Sequence, residues 1–463
     1  MAEETTPVKR PVKLGIAGLA LVVLVGTYIV VQNLPGPTGP ESPEWEPPEI
    51  VNLTDFDQDV QTIRLIGGED TITISRDENR VWRVEYPHDV RWLQHQVGRP
   101  GNTFPLISAE RRLEDPDDLS VYGLIEPKRI VEATLEDGTV ARVLIGDETP
   151  SRTGYYAMKE GDEDVYVIGR FNAASFLVTY NDLRDKNLPN VDTEDIQYLE
   201  LNPPPPGERI IVRRVTDDDD RTTLLFSMYQ ITSPFGMAHA IDGERFQELL
   251  DSFPAMFAER FVDDRPSDYA QYGLGPAAPT VRLRDSETDL TVVFGKRASD
   301  STYYARIVGR PEVFTLRTDL SFFDTDPFTI VSKFALILSI DKVDRFVVET
   351  PDERFVARVE RTDDPDADET FYLNDRVIED KPFREYYQKA IGLLADGRNR
   401  NPVRREPEVT VTYHLTDFEQ PFRLELVPHT RGFYAAYRDG RSDFLVSDVQ
   451  VDRLIAGARS LLE

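Results

Sequence analysis

Runs in which apolar and polar residues alternate recur along the chain from residue 60 onwards, and three stretches of them can be aligned with one another. Alternation with a period of two predicts β-strands with one buried face, and acidic turns between the runs predict a β-meander. Each stretch opens with three such strands. The first strands are predicted at 60–65, 196–201 and 343–348, the second at 71–74, 210–213 and 355–358, and the third at 81–84, 223–226 and 371–373.

A helical pattern follows the third strand in the second and third stretches. Apolar residues there are spaced three and four apart, which is the period of an α-helix with one buried face. The residues that form this face are Phe246, Leu249, Leu250 and Phe253 in the second stretch, and Phe383, Tyr386, Tyr387, Ile391 and Leu394 in the third. We expect each helix to cover one face of its sheet.

A second group of strands completes each stretch. Its first two strands are predicted at 130–135 and 143–146, at 280–283 and 292–295, and at 409–412 and 422–426. A Tyr-Gly-Leu motif precedes the group at 122–124 and 272–274, and Asp137-Gly138 between two alternating runs indicates a hairpin. The third stretch has no such motif, so we predict that it is a degenerate or capping unit.

An aromatic pair followed by alanine occurs in all three stretches, ahead of a final strand. The copies are Tyr155-Tyr156-Ala157, Tyr303-Tyr304-Ala305 and Phe433-Tyr434-Ala435. We predict that Tyr156, Tyr304 and Tyr434 occupy equivalent positions. Since adjacent residues of a strand point to opposite faces, one ring of each pair should enter the core, although the rings could instead line a glycan or peptide groove.

Together these patterns predict an α+β fold made of repeated antiparallel β-rich units with packed helices. We place the three units at 56–190, 191–338 and 339–463, the last being the degenerate one.

The N-terminus has a different pattern. Residues 14–31 are an uninterrupted apolar run without a charge, long enough to cross the hydrocarbon of a bilayer as a helix. Lys9, Arg10 and Lys13 precede the run, and positive charge beside the first span is retained in the cytoplasm. Residues 28–33 offer no small-residue cleavage site, so a retained anchor is favoured over a cleaved signal peptide.

We therefore expect a single-pass protein of the inner (cytoplasmic) membrane. Its predicted parts are a cytoplasmic tail at 1–13, a transmembrane helix at 14–34, a Pro-rich spacer at 35–55, and a body on the extracytoplasmic or periplasmic side.

The charge and the absence of cysteine narrow the function further. Of 463 residues, 83 are Asp or Glu and 53 are Lys or Arg, which gives a net charge of −30. A surface with this charge disfavours binding to nucleic acid or anionic headgroups. The negative charge then indicates either solubility or a cationic partner. Without cysteine, disulfides, thiol catalysis and Cys-ligated metals are excluded.

No set of residues predicts a metal site. The five histidines, His88, His95, His239, His414 and His429, form no ligand pair. Asp55, Asp57 and Asp59 resemble the start of a calcium loop, but Val60 and Ile66 replace the glycine and glutamate that such a loop needs. The acidic turns at 217–220 and 363–369 are candidates for weak calcium binding, but solvated hairpin tips are the simpler interpretation.

Motifs for catalysis and for cofactor binding are also missing. The sequence has no Gly-x-Ser-x-Gly elbow, no Ser-x-x-Lys, no Walker-type loop and no dinucleotide fingerprint. We therefore predict no catalytic, cofactor-binding or metal-binding residues.

Several motifs of the first stretch resemble those of a known family. They are Tyr122-Gly123-Leu124 with Pro127, Asp137-Gly138, Ile145-Gly146-Asp147, Gly154-Tyr155-Tyr156, Val165-Tyr166-Val167 and Asp182-Leu183-Arg184-Asp185-Lys186. In them the chain resembles the domain-of-unknown-function family 4340, over about 60–188 and, more faintly, over about 196–338.

This resemblance implies one N-terminal transmembrane helix and an exported body. Many members look like companions of ABC-type transport systems of the gliding-motility kind, which implies a partner role and no catalytic residues. In the second copy residues 328–333 replace Asp-Leu-Arg-Asp-Lys, so any role of that basic pair applies only to Arg184 and Lys186.

The leading hypothesis is a membrane-anchored extracytoplasmic accessory or scaffold protein, a partner of an ABC-type transport or envelope complex, without enzymatic activity. The alternative is a tethered carboxylate-dependent hydrolase that acts on an envelope polymer. A third hypothesis is a ligand sensor, although the predicted cytoplasmic tail is too short for a domain. The scaffold and hydrolase hypotheses differ in one observable feature, because a catalytic site should break the repeat symmetry with a polar cluster that lines a cleft in one unit only.

Overall fold

Three nine-stranded antiparallel sheets form the body of the protein in a computed structural model. The structure describes Thr27 and residues 51–463, with the exception of 55–57, 218, 220–226, 362–368 and 417. The predicted transmembrane helix and spacer, at 14–34 and 35–55, lie almost entirely outside these residues. Within the part of the chain that is described, no helix has both the length and the apolar character needed to cross a membrane.

The 27 described strands fall into the three sheets in chain order. The first sheet contains β1 (Val51–Asn52), β2 (Val60–Ile66), β3 (Ile72–Arg76), β4 (Trp82–Val84), β5 (Ser108–Leu113), β6 (Arg129–Leu135), β7 (Val140–Glu148), β8 (Gly154–Lys159) and β9 (Val165–Gly169). The second contains β10 (Tyr198–Asn202), β11 (Ile210–Arg214), β12 (Tyr229–Ser233), β13 (His239–Ala240), β14 (Ala258–Asp263), β15 (Thr280–Arg284), β16 (Asp289–Ser299), β17 (Thr302–Ile307) and β18 (Val313–Arg317). The third contains β19 (Val343–Glu349), β20 (Arg354–Glu360), β21 (Thr370–Leu373), β22 (Arg376–Ile378), β23 (Gly397–Arg398), β24 (Val409–Leu415), β25 (Phe422–Thr430), β26 (Phe433–Arg438) and β27 (Arg441–Ser447).

Eight strands of each sheet follow the same order, and the ninth is β1 beside β5 in the first sheet but β13 or β22 at the opposite edge in the other two. An early meander starts with β2, β10 or β19, a later one starts with β6, β15 or β24, and these two first strands pair with each other. The last strand of the later meander pairs with a strand that lies between the two meanders in sequence, namely β5, β14 or β23. The repetition of β units inferred from the sequence is therefore confirmed.

One helix of each repeat lies between its two meanders. These helices are α1 (Gln94–Thr103), α4 (Gly243–Asp251) and α6 (Asp380–Ile391). The other described helices are α2 (Arg170–Ala174), α3 (Tyr180–Leu183), α5 (Pro327–Ile330) and α7 (Asp448–Leu462). Short 3-10 helices occur at Phe104–Leu106, Leu119–Tyr122, Ala270–Tyr272, Ser321–Asp324 and Ile340–Lys342.

The chain divides into two compact units. Unit 1 extends to Tyr86 and includes Leu93–Leu183, and unit 2 consists of Pro87–Trp92 and Arg184–Glu463. Unit 2 therefore contains the second and third sheets.

Helix α1 was not predicted, because Gly98, Pro100 and Gly101 interrupt its apolar pattern. Both glycines lie against the indole ring of Trp82, and a Cβ atom at Gly101 would overlap that ring. The Trp82 Nε1 atom donates a hydrogen bond of 3.0 Å to Asn102 in the same helix. Close packing of one large ring thus decides the composition of this helix.

A buried row of three residues crosses the centre of each sheet, from the first strand of the early meander to the second strand of the later one. The rows are Leu65, Val131 and Val143; Leu201, Val281 and Val292; and Val348, Val411 and Leu424.

These rows show which alanines are equivalent. Two residues beyond its row, Phe294 lies opposite Ala305 in the second sheet. Leu426, also two residues beyond its row, lies opposite Ala436 in the third sheet. The counterpart of Ala305 is therefore Ala436, one residue later than the aligned Ala435.

The predicted equivalence of Tyr156, Tyr304 and Tyr434 is wrong for this reason. Tyr434 corresponds to Tyr303, and Ala435 corresponds to Tyr304. A shift of one residue reverses the face to which a side chain points. The Tyr434 ring accordingly packs on the core beneath the helices, whereas the Tyr304 ring packs on a smaller cluster across its sheet.

The expectation that one ring of each pair is buried is also wrong. Both rings of the first two pairs are half-buried, and in the third pair Phe433 is exposed and Tyr434 half-buried. Each alanine of the motif is buried instead.

The Tyr-Gly-Leu motif explains part of this exposure. The Tyr122 ring lies 4.8 Å from the Tyr156 ring, and the Tyr272 ring lies 5.2 Å from the Tyr304 ring, measured between centroids. The glycine of each motif ends a 3-10 helix with a positive φ. The third repeat has Ala435 at this ring position, so the motif and its partner tyrosine are absent together.

Two predicted elements need further comment. The predicted third strand at 223–226 lies outside the described residues, and β12 pairs with β11 in its place. Leu394 was assigned to the buried face of a helix, but α6 ends at Ile391 and Leu394 is exposed.

Candidate functional site

A short two-stranded ladder joins the second and third repeats inside unit 2. The backbone N atom of Ala335 donates to the carbonyl of Leu393 at 2.9 Å, and that of Ala395 donates to the carbonyl of Lys333 at 2.6 Å. Phe334 and Leu394 lie directly opposite each other between these bonds. Because opposite residues of an antiparallel pair point to the same face, their side chains form one surface feature.

An equivalent ladder lies earlier in unit 2. The backbone N atom of Ala258 donates to the carbonyl of Lys186 at 2.9 Å, and Asn187 lies opposite Phe257. Lys186 therefore occupies the position in this ladder that Lys333 occupies in the later one. Asn187, however, has the place of Phe334, so only the later ladder pairs two apolar side chains.

Open grooves of similar volume flank the later ladder, at equivalent places in two repeats. The first is about 720 Å³ and lies between α4 and residues 321–333. The second is about 730 Å³ and lies between α6 and the start of α7. Each groove thus runs between the main helix of a repeat and the chain that follows its last strand.

Several polar side chains of the first groove have structural contacts. Arg245 and Glu248 form an ion pair of 2.8 Å on the surface of α4. Asp326 accepts a hydrogen bond of 2.9 Å from the backbone N atom of Phe328, at the start of α5. The Lys333 Nζ atom lies 3.5 Å from the centroid of the Phe328 ring, and burial lowers the pKa of this lysine.

Gln450 fixes the later ladder to helix α7. Its side-chain amide accepts a hydrogen bond of 2.8 Å from the Leu394 N atom and donates one of 3.0 Å to the Leu394 carbonyl. It also donates to Asp396 at 2.8 Å. Val449, the preceding residue of α7, lines the second groove together with Leu394.

We call Phe334, Leu394 and Val449 the ladder patch. Their side chains are 39%, 42% and 51% exposed. Lys389 and Arg453 line the same groove as the last two residues. The patch is therefore apolar at its centre and charged at its border.

A buried histidine and a carboxylate connect the second and third sheets. The Nε2 atom of His239 in β13 lies 2.9 Å from the carboxylate of Asp443 in β27. Asp443 also accepts hydrogen bonds from the backbone N atoms of Gly236 at 2.8 Å and Met237 at 3.3 Å. The His239 ring centroid lies 4.5 Å from that of Phe444.

The charge states of this pair follow from its surroundings. Burial lowers the pKa of His239, and this outweighs the opposite effect of Asp443. For Asp443 burial acts to raise the pKa, but the hydrogen bonds from His239 and Gly236 outweigh it and the pKa is lowered. The pair is thus a neutral imidazole that donates to a carboxylate, which is a structural contact.

Two arginines add to this contact between the sheets. The Arg398 Nη2 atom donates to Glu208 at 3.2 Å, and its guanidinium lies 5.1 Å from the Phe235 ring centroid. The Arg438 Nη2 atom donates to the carbonyl of Ala238 at 3.1 Å. These contacts join the second and third sheets, and the ladder patch contains residues from both repeats, so its position is fixed.

Within the described part of the chain, the remaining histidines and acidic groups do not come together as a metal site. His414 lies 3.0 Å from Arg345. Among the described residues, no three His, Asp or Glu side chains are arranged to hold a metal ion. Asp59 forms an ion pair of 3.5 Å with Arg76, while Asp55 and Asp57 lie outside the described residues.

The acidic turns lie only partly within the described residues. Asp219 forms an ion pair with Arg213, whose side-chain hydrogen bond is the main cause of the lowered pKa of Asp219. Residues 362–368 of the other turn are not described.

The basic pair of the Asp-Leu-Arg-Asp-Lys motif is structural where it is described. Arg184 forms a buried ion pair with Asp264, and its guanidinium lies 3.6 Å from the centroid of the Phe261 ring. Lys186 contributes its carbonyl to the earlier ladder.

The ladder patch was not predicted from the sequence. Each ladder is three residues long, so it has no periodicity, and its two sides lie 70 residues apart in the earlier ladder and 60 in the later one. The one available signal was the difference between Asn187 and Phe334, which occupy equivalent positions in the two ladders. This difference is visible only when the repeats are aligned in the correct register.

Comparison with known proteins gives one family. The family described as domain of unknown function (DUF4340) matches residues 82–264 and 230–390, which overlap and together cover more than half of the chain. No curated protein and no solved structure matches. The two matches start in equivalent strands, near the starts of β4 and β12, so the family's unit recurs with the repeat of the sheets. The chain therefore belongs to the DUF4340 family.

Proposed function

We propose that this chain is a non-catalytic extracytoplasmic subunit, anchored in the inner membrane by residues 14–34, that binds a protein partner in an ABC-type transport or envelope complex. The ladder patch of Phe334, Leu394 and Val449 is the observation that carries the proposal.

The composition of the patch favours a protein partner. Protein interfaces combine an apolar centre with a polar border, and exposed apolar clusters on soluble proteins mark such contacts. Here Lys389, Arg453 and Asp396 line the same groove as Leu394 and Val449. Both flanking grooves are wide and open, which suits a macromolecule better than a small substrate.

The rigidity of the patch also supports binding. Two backbone hydrogen bonds hold the ladder, and Gln450 bonds both backbone groups of Leu394. A partner would therefore meet side chains whose backbone is already ordered, and the entropy lost on association is smaller.

The patch is one place where the repeats differ. The earlier ladder has the same backbone pairing but presents Asn187 where the later one presents Phe334. A structural need for the ladder would apply to both, so the apolar pair at only one of them has another purpose.

The membrane and transport parts of the proposal rest on the sequence. The apolar run at 14–31 follows Lys9, Arg10 and Lys13, an arrangement that exports the body. The resemblance to a family whose members often accompany ABC-type transport systems is the reason for proposing a complex of this kind.

Co-purification from native membranes in mild detergent tests the proposal. Leu394→Asp places a charge in the patch, whereas Phe257→Asp places the same charge on the earlier ladder, where the side chain is 49% exposed. We expect Leu394→Asp to lower the amount of co-purified partner at least about tenfold. Substitution of a residue at the centre of an interface can cost more than the roughly 1.4 kcal/mol of binding free energy to which this factor corresponds. Phe257→Asp should retain the partner. Equal retention by both variants would refute the proposal.

A further inference from the structure

A partly closed cavity of about 190 Å³ lies inside the second repeat, between the end of α4 and the sheet. Its wall includes Leu250, Phe253, Leu283, Val292 and Phe294. Every described residue that lines it is apolar except for an asparagine at 190 and a threonine at 193. None of these lining residues is charged.

The third repeat has a large side chain at the corresponding place. Two residues beyond the central row, Leu283 in β15 corresponds to Tyr413 in β24. The ring of Tyr413 is fully buried, and its hydroxyl donates a hydrogen bond of 2.9 Å to the carbonyl of Ala390 in α6. In the second repeat this volume is left open.

The second repeat also has less helix over its sheet. In the third repeat the long helix α7 contributes Val451, Leu454 and Ala458 to the core. The chain that follows β18 in the second repeat has only a 3-10 helix and the short α5. The cavity therefore distinguishes the core of the second repeat from that of the third.

Size and lining decide what such a space can hold. Close packing is the rule in protein cores, and an apolar void is unfavourable unless it is filled. An engineered apolar cavity of about 150 Å³ in another protein stays free of water and binds benzene. A charged group would lose its hydration without gaining a partner here.

We infer that this cavity is a binding site for an uncharged apolar ligand group about the size of a phenyl ring. The apolar walls bury the ring. Asn190 is exposed, so its amide marks the side of the cavity from which a ligand can enter.

Toluene and benzoate test the inference on the full chain in lipid nanodiscs, with methyl-labelled leucine and valine observed by NMR. Toluene should shift the methyl resonances of Val281 and Val292 saturably, because a ring in the cavity changes their local field. Their counterparts Val411 and Leu424 in the third sheet are the internal control and should not shift. Benzoate should leave both pairs unchanged.

Filling the cavity completes the test. Leu283→Tyr copies the side chain of the third repeat and should weaken the toluene response at least about tenfold, the equivalent of 1.4 kcal/mol. If circular dichroism shows that this variant is unfolded, Leu290→Phe fills the space from a neighbouring strand. Absence of a saturable shift in the unaltered chain, or an unchanged response in a folded filled variant, overturns the inference.

Discussion

Phe334 and Leu394 lie directly opposite each other on the ladder that joins the second and third repeats, and both side chains are exposed. The same backbone pairing occurs earlier in unit 2 with Asn187 and Phe257. Comparison of the two ladders shows which of their features the fold requires. The backbone bonds are common to both, and the apolar pair is specific to one.

Protease added to spheroplasts should degrade the body of the protein. In the proposed topology, Lys9, Arg10 and Lys13 before the apolar run retain the N-terminus in the cytoplasm, and everything after residue 34 lies outside. Immunoblotting of the body gives the readout, with a cytoplasmic protein as the control for lysis. A body that stays intact until the membrane is broken would reverse the topology.

Replacing Gly101 by alanine should destabilise unit 1 by roughly 1–3 kcal/mol, because the new methyl group overlaps the Trp82 ring in a packed core. Gly243 begins helix α4 with open space at its Cβ position. Gly243→Ala should therefore change the free energy of unfolding by less than about 0.5 kcal/mol. Urea titrations of the two variants compare these effects, and equal costs would speak against the packing described for Trp82.

Removing the charge of Arg184 should cost roughly 3–5 kcal/mol, because the buried carboxylate of Asp264 would lose the guanidinium with which it forms an ion pair. Arg184→Val is the variant of choice, since Val331 holds the corresponding position in the next repeat. The double variant with Asp264→Leu should recover most of the loss. Thermal or urea unfolding measures both, and a double variant as unstable as the single one would show that the charge pair is not the cause.

The stability of unit 2 should fall as the pH is lowered from 7.5 to 5. The pKa of His239 is lowered from 6.5 in the folded protein, so between these two values the unfolded chain binds a proton that the folded one does not. The contribution is fully present above about 6.5 and is lost as the pH falls towards the lowered pKa.

His239→Gln should flatten this part of the stability profile. The pKa of His414 is also lowered, by burial and by Arg345, so His414→Gln is the matched control for the second histidine. Asp443 and other carboxylates with lowered pKa values act only nearer to pH 4. A profile of His239→Gln that is as steep as that of the unaltered protein between pH 5 and 7 would remove His239 as the cause.

Local patterns were sufficient to predict most strands and the repeat. The Asp137-Gly138 turn is an example: Gly138 has a φ of +85°, and the Asp137 carboxylate accepts a hydrogen bond from the backbone of Thr139. Such turns are decided by neighbours in sequence, so the sequence contains the information.

Register was harder, because it depends on pairing between distant strands. Phe433-Tyr434-Ala435 imitates the aromatic motif of the other repeats, yet the pairing of Leu426 with Ala436 shifts it by one residue. The ladders and the cavity could not be predicted from the sequence for the same reason. Both depend on which residues of separate segments meet, and single-sequence periodicity contains no such information.

The most direct test of the account uses a photo-crosslinking amino acid at position 334 in the full-length protein within its native membrane, with position 187 as the matched control. The two positions are equivalent on the two ladders, and they differ in whether they belong to the ladder patch. We expect position 334 to form an adduct with one protein of the membrane complex, Leu394→Asp to abolish this adduct, and position 187 to form none. An identical adduct from both positions, or no adduct from position 334 in cells that contain the complex, would contradict the account.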